Sequence, residues 1–166
     1  KYKINESSGL VATLFNNNLT NLIESDGSKM QNINRAKIEG LEIGFYSTHA
    51  KLNYSFDYSF INARDLTNSV RLSRRPANKL VSKIGYNYNA NTIISLASIS
   101  ETSSDNSIYD NKRLGGYTAV NATLLKKSND YSIQFKFNNI FDKKYRKAHN
   151  YNSEGRSYNL SISRSF

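Results

Sequence analysis

Read in steps of two, the stretch YSIQFKF separates into two sets. Tyr131, Ile133, Phe135 and Phe137 fall on one side, and Ser132, Gln134 and Lys136 on the other. Side chains alternate across a strand, so this pattern predicts a β-strand with one apolar and one polar face. The last stretch, SYNLSISRSF, repeats the pattern: Tyr158, Leu160, Ile162 and Phe166 share a side with Arg164, against Ser157, Asn159, Ser161, Ser163 and Ser165. KLNYSFDYSF does so again, with Leu52, Tyr54, Phe56, Tyr58 and Phe60 opposed to Asn53, Ser55, Asp57 and Ser59. Helical spacing fits none of the three.

About eight such strands are predicted, near 9–23, 33–48, 51–63, 78–88, 91–101, 116–126, 131–141 and 155–166. Their connections alternate in length. Short ones fall near His49-Ala50, Asn89-Ala90 and Ser128–Asp130, longer ones near 24–32, 64–77, 102–115 and 142–154. Short turns at one end and long polar loops at the other are the layout of an outer-membrane barrel. Strands of about ten residues suit a tilted bilayer crossing. The expected fold is therefore all-β, an antiparallel meander of about eight strands. One segment, TIISLASISE, gives no clean face.

Turn positions predict registers. A turn centred on His49-Ala50 sets Phe45 opposite Tyr54, Ile43 opposite Phe56 and Leu41 opposite Tyr58. A turn centred on Ser128-Asn129 sets Leu124 opposite Ile133, Ala122 opposite Phe135 and Val120 opposite Phe137. Apolar cross-strand pairs of this kind stabilise a sheet. The first register also places Glu42 opposite Asp57 on the polar face, where like charges repel. Counting from the turn at 89–90 brings Lys83 to the same height, so a Glu42, Asp57 and Lys83 cluster is expected inside the barrel.

Composition changes this picture in only a few respects. With 166 residues the chain is long enough for one domain. Hydrophobic residues make up 38%, lean for a globular core, yet there are 12 Tyr and 8 Phe. Cysteine is absent, which excludes disulfides and Cys-based zinc sites. No apolar run reaches the roughly 18 residues of a membrane helix. The chain opens on KYKINESSGL, without Met or a leader pattern, as expected of a processed start or a piece of something larger.

A net charge of +10 raises nucleic acid as a partner. The basic runs, however, sit on three separate loops rather than along one helix or groove, and nucleic acid is set aside. Only His49 and His149 are present, with scattered acids, so no metal site is expected. No nucleophile elbow occurs, and LGG at 114–116 reads as the start of a strand rather than a phosphate loop. No catalytic residue or cofactor is expected, and the chain does not read as an enzyme.

Alternation alone does not separate a membrane barrel from a soluble β-sandwich. Three features favour the barrel. The polar face is small and uniform, aromatics gather near strand ends (Tyr117, Tyr145, Tyr158 and Phe166), and the chain closes on Phe166.

Several motifs then carry a resemblance. NNIFDKKY, with Asn139, Ile140, Phe141, Asp142, Lys143, Lys144 and Tyr145, resembles the penultimate-strand motif of TonB-dependent outer-membrane receptors. Tyr151, Gly155 and Arg156 resemble the family's opening of the last strand, and Phe166 its terminal aromatic. RLSRRPANK (Arg74, Arg75, Pro76), RAKIEGLEIGF (Gly40, Glu42) and RLGGYTAVNATL (Tyr117, Val120) resemble further family segments in family order. Arg164 and Asn121 depart from the pattern. The similarity is to the cobalamin and siderophore receptors.

The resemblance implies a barrel of about 22 strands with an N-terminal plug that contacts TonB. Residues 1–166 would be its C-terminal part, with the plug absent. It also implies the outer membrane of a Gram-negative bacterium, uptake of a ferric siderophore or cobalamin, and folding by the barrel-assembly machinery. Tyr158, Leu160, Ile162 and Phe166 would form the assembly signal. The lumen cluster would be structural or a docking point for the plug.

For the loops, Arg71, Arg74, Arg75, Tyr109, Lys112, Arg113, Lys144, Tyr145 and Tyr151 are the candidate ligand contacts. Their basic members would attract an anionic metal chelate or touch lipopolysaccharide phosphates, against the alternative of a plain solvated surface. A self-contained eight-stranded barrel with a structural or adhesive role, or a soluble sandwich module, are the alternatives to a receptor fragment.

Overall fold

The computed structural model describes residues 2–25 and 28–164. Among them run β1 (Tyr2–Asn5), β2 (Ser8–Ser25), β3 (Met30–His49), β4 (Leu52–Asp65), β5 (Val70–Arg71) and β6 (Asn78–Asn89). There follow β7 (Thr92–Glu101), β8 (Ser104–Asp105), β9 (Arg113–Leu114), β10 (Tyr117–Lys127), β11 (Tyr131–Asn138) and β12 (Ser157–Arg164). The eight long strands are the eight that alternation predicts; β1, β5, β8 and β9 are short additions. No described residue is helical.

One sheet carries almost everything, in the order β1-β2-β3-β4-β6-β7-β10-β11-β12, with β5 hydrogen-bonded to β4 and β8-β9 forming a separate ribbon. Its ladders are antiparallel. Among the described residues the two edges are not paired with each other, so the sheet is open rather than a closed eight-stranded barrel. A single sheet is also not a sandwich of two.

Both predicted hairpin registers are off by two residues. The first turn is Ala50-Lys51, with Ala50 in the left-handed region at φ 49°, so His49 pairs with Leu52. Phe45 therefore faces Phe56, Ile43 faces Tyr58 and Leu41 faces Phe60. At the second hairpin Lys127 pairs with Ser132, and the Ser128 N–H donates to the Tyr131 carbonyl. That puts Leu124 opposite Phe135 and Ala122 opposite Phe137. A slip of two leaves every side chain on its own face, whereas a slip of one would invert them all. Phe45 and Tyr54 still touch diagonally, ring centres 6.0 Å apart.

Following the ladders sideways gives two complete apolar rows. Tyr54, Ile84, Leu96, Ala122, Phe137 and Tyr158 lie in one, and Leu52, Tyr86, Ile94, Leu124, Phe135 and Leu160 in the next. Edge-to-face packing links Phe135 to Phe137 (4.4 Å) and Phe137 to Tyr158 (5.2 Å). Leu160 and Ile162 are 61% and 66% exposed, too open for a soluble core. Of the expected assembly-signal residues, Tyr158, Leu160 and Ile162 share this face; Phe166 lies outside the described residues. Arg164, the departure from the family pattern, sits 5.3 Å over the Tyr131 ring.

β7, faceless in sequence, has isoleucines on both sides. The register puts Ile94 and Leu96 on the apolar face and Ile93, Ser95, Ala97, Ile99 and Glu101 on the polar face. On the polar face large rings cover glycines. A Cβ on Gly40 would lie 2.6 Å from the Phe15 ring, and one on Gly9 2.6 Å from the Tyr46 hydroxyl. Such aromatic-over-glycine pairs help pin a register.

The same register corrects the direct pairing expected within the lumen cluster, while Glu42, Asp57 and Lys83 all stay on the polar face and Glu42 and Asp57 line one cavity. Glu42 faces Ser59, Asp57 faces Gly44, and Lys83 faces Ser55. The cation in the row of Glu42 is Lys79, which sits between Ser59 and Glu101 and pairs with Glu101 at 3.7 Å. None of the four ion pairs among the described residues includes Glu42, Asp57 or Lys83.

The buried apolar centre lies at the loop-bearing end. Ala36, Ala63 and Leu72 are buried there, packed with Leu19, Leu22, Ile38, Ile61 and Ile108. Leu72 thus tucks the second half of loop 66–77 against the polar face, while residues 66–69 stay exposed. The loop's start is held by Asp65, fully buried, whose carboxylate accepts from the Thr67 and Asn68 backbone N–H groups and the Asn68 amide. Buried carboxylates survive only with partners of this kind.

Candidate functional site

Three long loops meet at one end of the sheet, and Asn106 joins them. Its side chain and backbone are 7% exposed. Its N–H donates to the Lys112 carbonyl and its amide to Asp110. Its side-chain oxygen accepts from the His149 N–H, and its carbonyl from the Arg74 guanidinium. The Ile108 N–H adds a bond to the Ser73 hydroxyl, and the Arg74 N–H one to the Asp105 carbonyl. Loops 66–77, 102–116 and 139–156 are therefore tied together rather than independent. The Asn106 amide, assisted by the Lys112 N–H, holds the Asp110 carboxyl below its usual range.

The motif NNIFDKKY is a clasp. β11 stops at Asn138 rather than near 141, because Asn139 takes the left-handed region at φ 49°. Asn139 is buried; its oxygen accepts from the Lys143 N–H while its amide donates to the carbonyls of Lys143 and Glu154. Asn121, the residue standing in place of the family's common Asp, accepts from the Asn139 N–H at 2.8 Å. Asp142 accepts from the Arg156 N–H and from Lys144, which together hold its carboxyl below the ordinary 3.8.

The clasp delivers Tyr145 onto Tyr117. Their rings stack at 3.8 Å and 11°, with the Lys147 ammonium 5.9 Å over Tyr117. Tyr117 is 7% exposed and lies in the polar row of Lys79 and Glu101. Tyr117 and Tyr145, two of the aromatics gathered near strand ends, thus pack on each other at the polar side of the sheet.

Beside this stack opens a cleft of about 350 Å³. Arg74, Arg75, Lys79, Arg146 and Lys147 line it, with Glu101 as the facing carboxylate and Tyr117 in the wall. Such a gathering of one sign in a concave site focuses potential toward anions.

The sequence-predicted contacts distribute unevenly. Arg74 and Arg75 enter the cleft, and Tyr145 supports its wall. Arg71, in the same basic run, pairs beside Arg64 on the opposite side of the sheet, while Leu72 between them turns inward. Arg113 pairs with Asp105 and Lys144 with Asp142, both outside the cleft lining. Lys112, Tyr109 and Tyr151 also lie outside it, all exposed. Lys79 and Glu101 were missed because they stand at strand ends and read as wall. Arg146 and Lys147 were legible as part of the basic run DKKYRK. Among the described residues no group of three or more His, Asp or Glu is placed to hold a metal ion.

Comparison with known proteins places this geometry. Residues 2–140 match the family model described as TonB dependent receptor-like, beta-barrel. Among solved structures, the copper transporter OprC aligns with a TM-score of 0.83 at 13% identity, over 98% of this chain and 29% of that one. The siderophore receptor PiuA from Acinetobacter baumannii aligns at 0.77 and 18% identity, over 94% and 26%. The FrpB iron transporter from Neisseria meningitidis (F5-1 variant) aligns at 0.77 and 14%, over 97% and 30%. At such identities the likeness is one of fold. The chain spans between about a quarter and a third of these structures.

Proposed function

The chain belongs to the TonB-dependent receptor-like β-barrel family, and from that premise we propose that it is a wall segment of an outer-membrane receptor importing a scarce nutrient as an anionic metal chelate. In this reading the apolar rows face lipid, the polar face lines the lumen, and the loop-bearing end opens to the outside of a Gram-negative cell. The rest of the receptor, including a plug that engages TonB, would lie in other segments of the protein. Residues 1–166 would be the C-terminal part of the barrel. Tyr158, Leu160, Ile162 and Phe166 would present the signal to the barrel-assembly machinery.

One observation carries the substrate class. Five cations from two loops and a strand converge on a single cleft against one carboxylate. A ferric siderophore with net negative charge fits that field better than cobalamin does. Arg74, Arg75, Arg146 and Lys147 are the proposed contacts, with Tyr117 and Tyr145 shaping the wall. The remaining predicted contacts, Tyr109, Lys112, Arg113, Lys144 and Tyr151, would serve the outer rim.

The test uses the full-length receptor in cells, with radiolabelled ferric catecholate, ferric hydroxamate and cobalamin as probes. Uptake of an anionic ferric chelate should require TonB. It should fall about tenfold when Arg74, Arg75, Arg146 and Lys147 are all changed to Gln, as removal of several charge-assisted contacts implies. Unchanged uptake in that variant would overturn the assignment of the cleft.

A further inference from the structure

We propose that Lys37, Arg64 and Arg71 form an outward-facing site for the phosphates of a phosphorylated glycolipid in the outer leaflet. The register puts these three cations side by side: Lys37 opposite Arg64, and Arg64 opposite Arg71. Arg35 follows on β3, and the Leu66 N–H bonds to its carbonyl at 2.9 Å. Arg35, Arg64 and Arg71 are exposed.

Their direction is fixed by their neighbours. Ala36, Ala63 and Leu72, one residue along from each, are buried together on the polar side. Side chains alternate, so Lys37, Arg64 and Arg71 project to the apolar side.

Like charges directly opposite each other cost a sheet stability. The local counter-charge is small: Glu39 pairs with Lys37, and among the described residues Arg64 otherwise bonds only the Asn62 amide oxygen. The row therefore carries surplus positive charge that an external anion would offset.

Height along the sheet identifies the anion. The apolar face ends at the row Leu14, Leu41 and Phe60; Asn16, Glu39 and Asn62 follow, then the cations. Four residues of strand rise is about 13 Å, and less along the membrane normal because strands tilt. The patch thus lies just beyond the hydrocarbon edge, at headgroup level. A headgroup carrying phosphates, anchored by acyl chains lying on the Leu14, Leu41 and Phe60 row, satisfies both halves of the surface. Arginine is suited to the bidentate phosphate contact.

This inference rests on the apolar face meeting lipid. The full-length receptor, purified in mild detergent, would be mixed with phosphorylated lipid A, dephosphorylated lipid A, or the acyl-free phosphorylated disaccharide. Bound lipid would be counted by native mass spectrometry. The receptor should retain phosphorylated lipid A, and the triple Lys37→Gln, Arg64→Gln, Arg71→Gln variant about tenfold less. Lys83→Gln, on the polar face, should not change retention. Arg71→Gln alone, at the short β5, keeps the test available if the triple variant fails to fold, and should show a partial loss. Equal retention of both lipids, or unchanged retention in the charge variants, would overturn the site. Equal binding of the acyl-free disaccharide would overturn the lipid assignment. Failure of the apolar face to meet lipid would instead show as unmodified receptor absent from the membrane fraction.

Discussion

At the scale of single residues, two side chains hold the loop-bearing end together. Asn106 uses its N–H, carbonyl and both side-chain groups, each on a different partner. Asn106→Ala should cost about 1–3 kcal/mol through the polar groups left unpaired. Limited proteolysis should then cut both loop 102–116 and loop 139–156 faster, since the side chain bonds Asp110 in the first and the His149 N–H in the second. Asp142 gives a pH dependence. Its carboxyl lies below 3.8 in the folded chain, so its stabilisation is complete above 3.8 and disappears as pH falls through the depressed folded value. The Arg156 amide, bonded to Asp142, should exchange with solvent faster below that point, and in Asp142→Asn its exchange should lose this acid-dependent step. Chemistry at this scale was partly legible. The basic residues stood out by type, but RLSRR gave no hint that Leu72 turns inward and so divides Arg71 from Arg74 and Arg75.

At the scale of strands, the alternation of polar and apolar positions identified all eight long strands, and their faces except in β7, because a period of two is a direct imprint of the pleat. Registers were misplaced because they depend on turn conformation. Nothing in the alternation marks Ala50 as left-handed, or makes the 128–131 connection longer than two residues. The Glu42 and Asp57 pairing failed for this reason alone. Orientation is the open property at this scale. In intact cells expressing the full receptor, cysteines at Asn111 and Asn150, both exposed on the loop-bearing end, should react with an impermeant maleimide. One at Asn129, in a short turn, should not. Asn106, central to a long loop, is a poor labelling position because it is buried.

At the scale of the whole molecule, the sheet separates three environments: apolar rows on one side, a polar face on the other, and a loop layer packed over one end. That layer was the least legible part of the sequence, since polar loops read as solvated. Its apolar anchors, Leu72 and Ile108, are isolated within their loops and carry no periodic signal. The strand order has a further consequence, for how such a sheet is made. Every ladder of the main sheet joins strands that follow each other along the chain, or that are separated only by a short hairpin. Each new pairing closes a loop of modest length, and the entropy of closing a loop grows with its length. The sheet can lengthen one hairpin at a time, each strand offering the next a ready row of donors and acceptors, with no step that waits for distant parts of this chain to find one another.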